Sequence, residues 1–246
     1  MPGCWNERLS QQTITCRGVR KNHQTLDSIQ KTSKCCLGRG RIMSNIMNSS
    51  SNDNNIRTSK RTNQKIIDAS CKLFNQYGYH GTSIAMIADT CQLKKASVFY
   101  HFSKKEDISL AVISRIYQDC DTNIFSVADD NVFEPEEKLE AFIKATEDYI
   151  LNSKYAATIA SLSGEVEGMP LSIRQAIRLF IDTWQESIIT LLYPIHGMHK
   201  AKRIARKSLS YIHGAILMKK VTDDDKYILQ TVKYLGLLWT FGLSAG

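Results

Sequence analysis

Residues 81–108 read Gly81-Thr-Ser-Ile-Ala-Met-Ile-Ala-Asp-Thr-Cys-Gln-Leu-Lys-Lys-Ala-Ser-Val-Phe-Tyr-His-Phe-Ser-Lys-Lys-Glu-Asp-Ile108, and the punctuation of this stretch decides the fold. Thr82 or Ser83 stands where a hydroxyl side chain N-caps a helix, accepting a bond from a backbone N–H that the first turn leaves unpaired. The residues after them predict a short helix, Ile84 to Thr90, with Ile84, Ile87 and Ala88 turned inward at helical spacing. Cys91-Gln92 makes a brief turn, and a second short helix runs from about Leu93 to Tyr100 with Lys94 and Lys95 at its start. Two short helices joined by a turn of about three or four residues, the second basic at its beginning, make a helix-turn-helix.

Outward from this stretch the helical period continues. Upstream, Ile66, Ile67, Ala69, Ser70, Leu73, Phe74 and Tyr77 recur on one face and Gly78 closes the segment, leaving Lys60, Arg61, Lys65 and Lys72 to solvent. Downstream, helices are expected near 104–126, 134–152, 155–163, 170–192, 199–220 and 224–241. The expected breaks are Asp129-Asp130-Asn131, Ser163-Gly164, Gly168-Met169-Pro170, Pro194 to Gly197 and Thr222-Asp223. Of four prolines, three lie beyond residue 130, and no valine- or threonine-rich alternation suggests a strand. The expectation is an all-α protein: an N-terminal three-helix DNA-binding domain with its helix-turn-helix, followed by a C-terminal helical domain.

Charge divides the chain in the same places. Residues 1–58 carry nine lysines and arginines against three acids, residues 59–106 eight against three, and residues 107–246 fifteen against eighteen. A basic head on a mildly acidic body fits a DNA-reading domain attached to something else. The expected domains are therefore a basic, disordered extension over 1–58, a helix-turn-helix domain over 59–106 and a helical domain over 107–246. The run Asn48-Ser-Ser-Ser-Asn-Asp-Asn-Asn55 is low in complexity and reads as solvated chain. Met43 and Met47 precede it, so the upstream residues read either as a start-site artefact or as a basic arm touching phosphates. No apolar stretch reaches the roughly 18–20 residues of a membrane span, and the N-terminus lacks a signal-like apolar region, so a soluble cytoplasmic protein is expected. The cysteines show no paired metal spacing; Cys71, Cys91 and Cys120 read as small buried hydrophobes.

The residues that would meet DNA follow from their chemistry. Thr82 and Ser83 put hydroxyls and free N–H groups at a helix N-terminus, which attracts a phosphate. Lys94 and Lys95 open the recognition helix, where they reach guanine edges or phosphates, and Ser97 is short enough to let that helix enter a groove. Tyr100 and His101 end the helix with polar tips suited to the backbone, Lys105 starts the next helix beside them, and Phe102 is assigned to the core. Taken singly, each has a plainer reading as a surface or core residue; the combination at this spacing favours DNA. The same residues resemble the signature of the tetracycline-repressor-like (TetR) family, most tellingly Tyr100-His101-Phe102 followed by Lys105-Glu106. The resemblance implies phosphate contacts by Tyr100, His101 and Lys105. Four positions depart from the family pattern: Gln92 where the turn is usually glycine, Lys94 where the N-cap is usually Ser or Thr, Ala96 where glycine is frequent, and Phe99 where the aromatic would carry a hydroxyl.

For the second domain the resemblance implies effector binding and dimerisation through the last two helices, about 199–220 and 224–241. Their apolar and small residues are Ile204, Leu209, Ile212, Gly214, Ala215, Leu217 and Met218, then Ile228, Val232, Leu235, Leu238, Trp239 and Phe241, with Gly236 and Gly242. Candidate effector-pocket residues are Phe125, Phe142, Tyr149, Tyr155, Met169, Phe180 and Trp184; Glu165 and Glu167 either meet a polar or cationic ligand or belong to an exposed loop. No phosphate loop, nucleophile elbow or dinucleotide fingerprint appears, and His196 and His199 have no third ligand at matching spacing, so no enzyme, metal or cofactor is expected. The function expected is a repressor that binds a palindromic operator in double-stranded DNA as a homodimer and leaves it on binding a small-molecule effector. The alternative is a helix-turn-helix adaptor or regulator without such an effector.

Overall fold

In a computed structural model, which describes residues 53–129 and 134–242, the proline-poor periodic sequence folds into helices, and every regular element among the described residues is helical. They are α1 (Asp53–Gly81), α2 (Ile84–Thr90), α3 (Lys95–His101), α4 (Lys105–Cys120), a π-helical turn (Asp121–Phe125), α5 (Ser126–Asp129), α6 (Pro135–Asn152), α7 (Ala156–Ser163), α8 (Leu171–Thr222) and α9 (Lys226–Phe241). α1 opens at Asp53, inside the segment whose composition predicted solvated chain. Once a helix is nucleated, each added residue gains one bond, so a strong amphipathic segment can extend backwards. Met43, Met47 and the rest of the 1–58 extension up to residue 52 lie outside the described residues, as does most of the break expected at 129–131. The 106/107 boundary falls in the first turn of α4, a helix that carries the end of the helix-turn-helix into the body.

Two glycines do the bending. Gly78 takes φ 71 and ψ −176 within α1, and Gly197 takes φ 72 and ψ 163 within α8, a region that side chains with a Cβ rarely occupy. The helix before Pro194 therefore continues past it and turns only at Gly197. At Gly78 the break shifts the phase of the apolar stripe. Tyr77, expected inside, is half-exposed, and Tyr79 is buried in its place.

The core is continuous from α1 to α9. α9 packs on α8 and α6, while α1 packs on α7 and α4. Trp239 sits near its far end, its indole N–H donating to Ser208 Oγ at 2.7 Å and its ring 5.8 Å from that of Phe142. Ile228, Val232, Leu235, Leu238 and Trp239 on α9, with Ile204, Leu209, Ile212 and Ala215 on α8, are spent inside the protomer. This corrects the expected dimer stripe. The large apolar side chains that these helices leave in solvent include three of the expected stripe, Leu217 and Met218 on α8 and Phe241 on α9, together with Val221, Leu229 and Leu237, which lay outside it. Both helices are apolar on more than one side, and periodicity alone cannot say which side meets its own chain. Cys71, Cys91 and Cys120 are buried and free, as expected, and burial pushes the Cys71 thiol up to about 11 and Cys120 to about 12. No helix among the described residues is long and apolar enough to cross a membrane.

α1 and α7 run alongside each other and are joined by polar pairs in register. Tyr155 OH donates to Asp68 Oδ1 at 2.5 Å, with Lys154 Nζ 3.1 Å from Asp68 Oδ2. Cys71 Sγ meets Thr158 Oγ1 at 3.1 Å, and Ser161 Oγ donates to Asn75 Oδ1 at 3.2 Å. Burial works against the Asp68 charge, but its bonds to Tyr155, Lys154 and Gln64 together hold the carboxyl below its ordinary value. Lys220, near the end of α8, donates to the Asn75 carbonyl and to Ser161 Oγ, closing the row.

Because Leu235 is only 2% exposed, Leu235→Ala is expected to cost about 2–5 kcal/mol in urea unfolding at fixed protein concentration. A loss below about 0.5 kcal/mol, the range of surface substitutions, would place it on the surface instead.

Candidate nucleic-acid interface

α2 begins at Ser83, whose extended backbone and hydroxyl make the N-cap: Oγ accepts from Met86 N–H at 3.2 Å. Ile87 and Ala88 are buried beneath it, and Ile84 and Met86 pack on the core from its rim. The helix ends in a Schellman turn, with Leu93 N–H donating to Ala88 O at 2.8 Å and Gln92 N–H to Asp89 O at 2.9 Å. That geometry requires a positive φ, and Gln92 adopts it at φ 53. The missing glycine therefore leaves the turn intact, at the cost of strain.

α3 follows from Lys94, which is extended at the N-cap position and makes no side-chain cap, so the helix opens with exposed N–H groups between two lysines. Val98 is its one fully buried side chain. Lys94, Lys95 and Ala96 are exposed, Phe99 is 50% and Tyr100 81% exposed, and Ser97 and His101 lie at the flanks. Lys95 and Phe99, one turn apart, share a face with the small Ala96 beside them. Phe102 leaves the helix at φ −139 and returns to the core, as expected. The His101 ring meets Tyr100 edge-on at 5.2 Å, and partial burial lowers its pKa, which favours the neutral ring at physiological pH.

Two of the expected DNA contacts are used inside the protein. Thr82 is buried, and its hydroxyl donates to Gly78 O at 2.7 Å, so it stitches the turn and offers no side chain to a phosphate. Lys105 Nζ donates to Tyr79 O at 2.8 Å and Thr82 O at 2.9 Å and lies 4.2 Å from the centre of the Tyr79 ring. Burial lowers its pKa. The lysine ties α4 to the turn before α2. Ser83, Lys94, Lys95, Ser97, Tyr100 and His101 remain on the outer face of the motif, joined by Phe99, which the sequence marked only for its lack of a hydroxyl. Its signal is one turn's spacing from Lys95 in a helix too short to bury two faces. Lys104 is held by Glu106 at 2.7 Å, while Ser172 Oγ donates to the other Glu106 oxygen from the start of α8.

The expected effector-pocket residues fall into separate packing groups. Phe125, Phe180 and Trp184 pack on one another with centroids 5.7–6.2 Å apart, beside Tyr117 and His213. Phe142 packs on Trp239, and Met169 is buried. Tyr149 and Tyr155 instead line an open groove of about 740 Å³ with Asp119, Asn123, Ala145, Asp148, Asn152, Ser153 and Lys154. The Glu165 side chain binds the chain itself, its Oε2 accepting from His80 N–H at 3.0 Å, whereas Glu167 is an exposed loop residue whose backbone carbonyl accepts from the His80 ring at 3.2 Å. His196 Nε2–H donates to Trp239 O at 2.5 Å and closes the core near Gly197.

A basic, outward-facing second helix set on a buried first one defines a helix-turn-helix DNA-binding protein. Residues 66–112 match the model of bacterial regulatory proteins of the tetR family. The biofilm operon icaADBC HTH-type negative transcriptional regulator IcaR of Staphylococcus epidermidis is 26% identical over 132 residues, covering 54% of this chain and 70% of that protein. A TetR transcriptional regulator from Legionella pneumophila superposes with TM-score 0.64 at 21% identity, covering 77% of this chain and 97% of that one. AibR, crystallised with isovaleryl coenzyme A and operator DNA, superposes with TM-score 0.58 at 17% identity, covering 73% and 98%. Residues 66–112 thus carry a tetR-type DNA-binding region, and the chain has the fold of TetR-family regulators.

A residue with a Cβ in the left-handed region costs about 1–3 kcal/mol, partly offset by the greater freedom glycine loses on folding, about 0.5–1 kcal/mol. Gln92→Gly is therefore expected to stabilise the protein by about 0.5–1 kcal/mol, with Gln92→Val going the other way in the same thermal melts. A glycine variant that melts lower would mean that the turn carries no strain.

Proposed function

We propose that two copies of this chain bind an inverted-repeat operator and repress transcription, and that a small molecule releases them. The observation that carries this reading is the outer face of α3, where Lys95, Ala96, Phe99 and Tyr100 are all exposed and only Val98 anchors the helix. Lys95 suits a guanine edge, while Ala96 and the Phe99 ring suit thymine methyl groups. Ser83, Lys94, Ser97, Tyr100 and His101 are assigned to phosphates and groove walls, and Lys105 and Thr82 to holding the motif.

A single helix-turn-helix reads only a few base pairs, and a two-fold pair reads enough to find one site. The exposed Leu217, Met218 and Val221 on α8 and Leu229, Leu237 and Phe241 on α9 supply a face for a second copy, with Gly214 open to close approach. Val221 at 81% and Phe241 at 65% exposure are costly to leave in water. The effector is assigned to the groove beside Tyr149 and Tyr155. Asp119 and Asp148 give it an acidic rim, and Tyr155 both lines it and holds Asp68 of α1. A ligand that draws the Tyr155 hydroxyl away would loosen α1, the helix on which the motif is built. Repression is supported by the naming of IcaR as a negative regulator, and ligand control by the complex in which AibR was crystallised.

Sequencing of DNA selected by the purified protein is expected to return an inverted repeat whose half-sites lie about one helical turn apart or a multiple of it. Affinity for it should fall with salt by a log–log slope of about −0.9 per phosphate neutralised. Lys95→Ala should cost roughly 1–3 kcal/mol and relax one position per half-site. Selected DNA without two-fold symmetry, or an affinity indifferent to salt, contradicts the reading.

Leu237→Glu and Val221→Glu change solvent-facing residues, so each is expected to sediment as a folded monomer with its helix content unchanged. Variants that stay dimeric would place the interface elsewhere.

A further inference from the structure

The row of polar pairs between α1 and α7 ends at a point with no counterpart in the other rungs. α7 stops at Ser163, and the loop that follows brings Glu165 directly under the Gly78 break. A Cβ at Gly78 would overlap the Glu165 carboxylate, so the anion occupies the space that a side chain there would fill. One carboxylate oxygen takes the His80 N–H, which the break has freed from the helix. The His80 ring donates to Glu167 O and lies over Gly168, so the loop grips the turn at two places. Lys105 Nζ, within electrostatic reach of Glu165, takes the carbonyls of Tyr79 and Thr82. The turn 78–82 is thus held by an anion on its N–H side and a cation on its carbonyl side. The anion comes from the regulatory body and the cation from the first turn of α4. Ser83, the N-cap of α2, follows at once.

We propose that Glu165 is a positioning residue for operator binding: its carboxylate fixes the angle at which the turn 78–82 presents α2 and α3 to DNA. The consequence for DNA rests on the two-fold reading above, because an angle matters when two recognition helices must fit one spacing. Glu165 touches no DNA. The loop that carries it leads directly into α8, which contributes Phe180 and Trp184 to the aromatic cluster, so a change there has a short covalent path to the motif.

Two measurements on the full chain separate the clamp from general stability. In the free protein, hydrogen exchange at His80 and through residues 82–90 should quicken about tenfold in Glu165→Ala, while α6 and α9 keep wild-type rates. Glu165→Gln keeps an acceptor for the His80 N–H and should restore protection at His80. On operators built from the selected sequence, with the centre lengthened or shortened by one or two base pairs, Glu165→Ala should lose roughly five- to tenfold at the selected spacing. Its loss at the altered spacings should be smaller, so that the preference for spacing shrinks. Wild-type exchange at 80–90 in both variants overturns the clamp, and so does an equal loss at every spacing accompanied by faster exchange throughout the chain. A wild-type protein indifferent to spacing sinks the two-fold reading, and the exchange rates of the free protein still decide the clamp.

Discussion

The recognition helix is too short to hold itself in place. An isolated seven-residue helix is far below the length at which helix formation becomes favourable in water, and α3 fully buries only Val98. Its position is therefore set by what precedes and follows it. Before it stands the Schellman turn, which fixes Leu93 against the core through two backbone bonds. After it stands Phe102, which returns to the core and starts the approach to α4. A helix anchored by one valine between two such fixtures leaves most of its surface free, and that freedom lets Lys95, Ala96, Phe99 and Tyr100 face a ligand.

The same constraint explains where the charged residues went. A lysine near a DNA-binding motif invites assignment to a phosphate, yet Lys105 lies between two carbonyls and an aromatic ring. Breaking α1 at Gly78 leaves N–H and carbonyl groups without helical partners, and partly buried backbone groups must find others. Lys105 takes the carbonyls and Glu165 an N–H. Exposed ion pairs add little to stability, but charge-assisted bonds to a backbone turn fix its direction. The polar row from Asp68–Tyr155 to Asn75–Ser161 has the same character: it specifies register between α1 and α7 while Ile66, Leu73 and Phe74 supply the burial.

Much of this protein was legible in its sequence because local signals agreed with one another. The apolar period gave the helices and most of their ends, the pair Thr82-Ser83 gave the start of α2 with the structure choosing Ser83 as its cap, Phe102 gave the return to the core, and Gln92 marked the residue made to adopt a positive φ. The motif over 81–108 gave the class of protein. Each of these is decided within a few residues of chain, by hydrogen bonding, sterics and spacing.

Tertiary structure decided everything that required knowing which face met which neighbour. Leu235 and Leu237 are equally apolar and two residues apart, yet one is buried in the protomer and the other faces solvent, because α8 and α6 lie on one side of α9 only. Thr82 and Lys105 were chemically suited to phosphate and were taken by the backbone of the turn 78–82. Glu165 read as a loop residue or a ligand contact because nothing in its surroundings along the chain points to Gly78, 87 positions earlier. A local sequence states which groups need partners; the fold alone determines which partners come within reach.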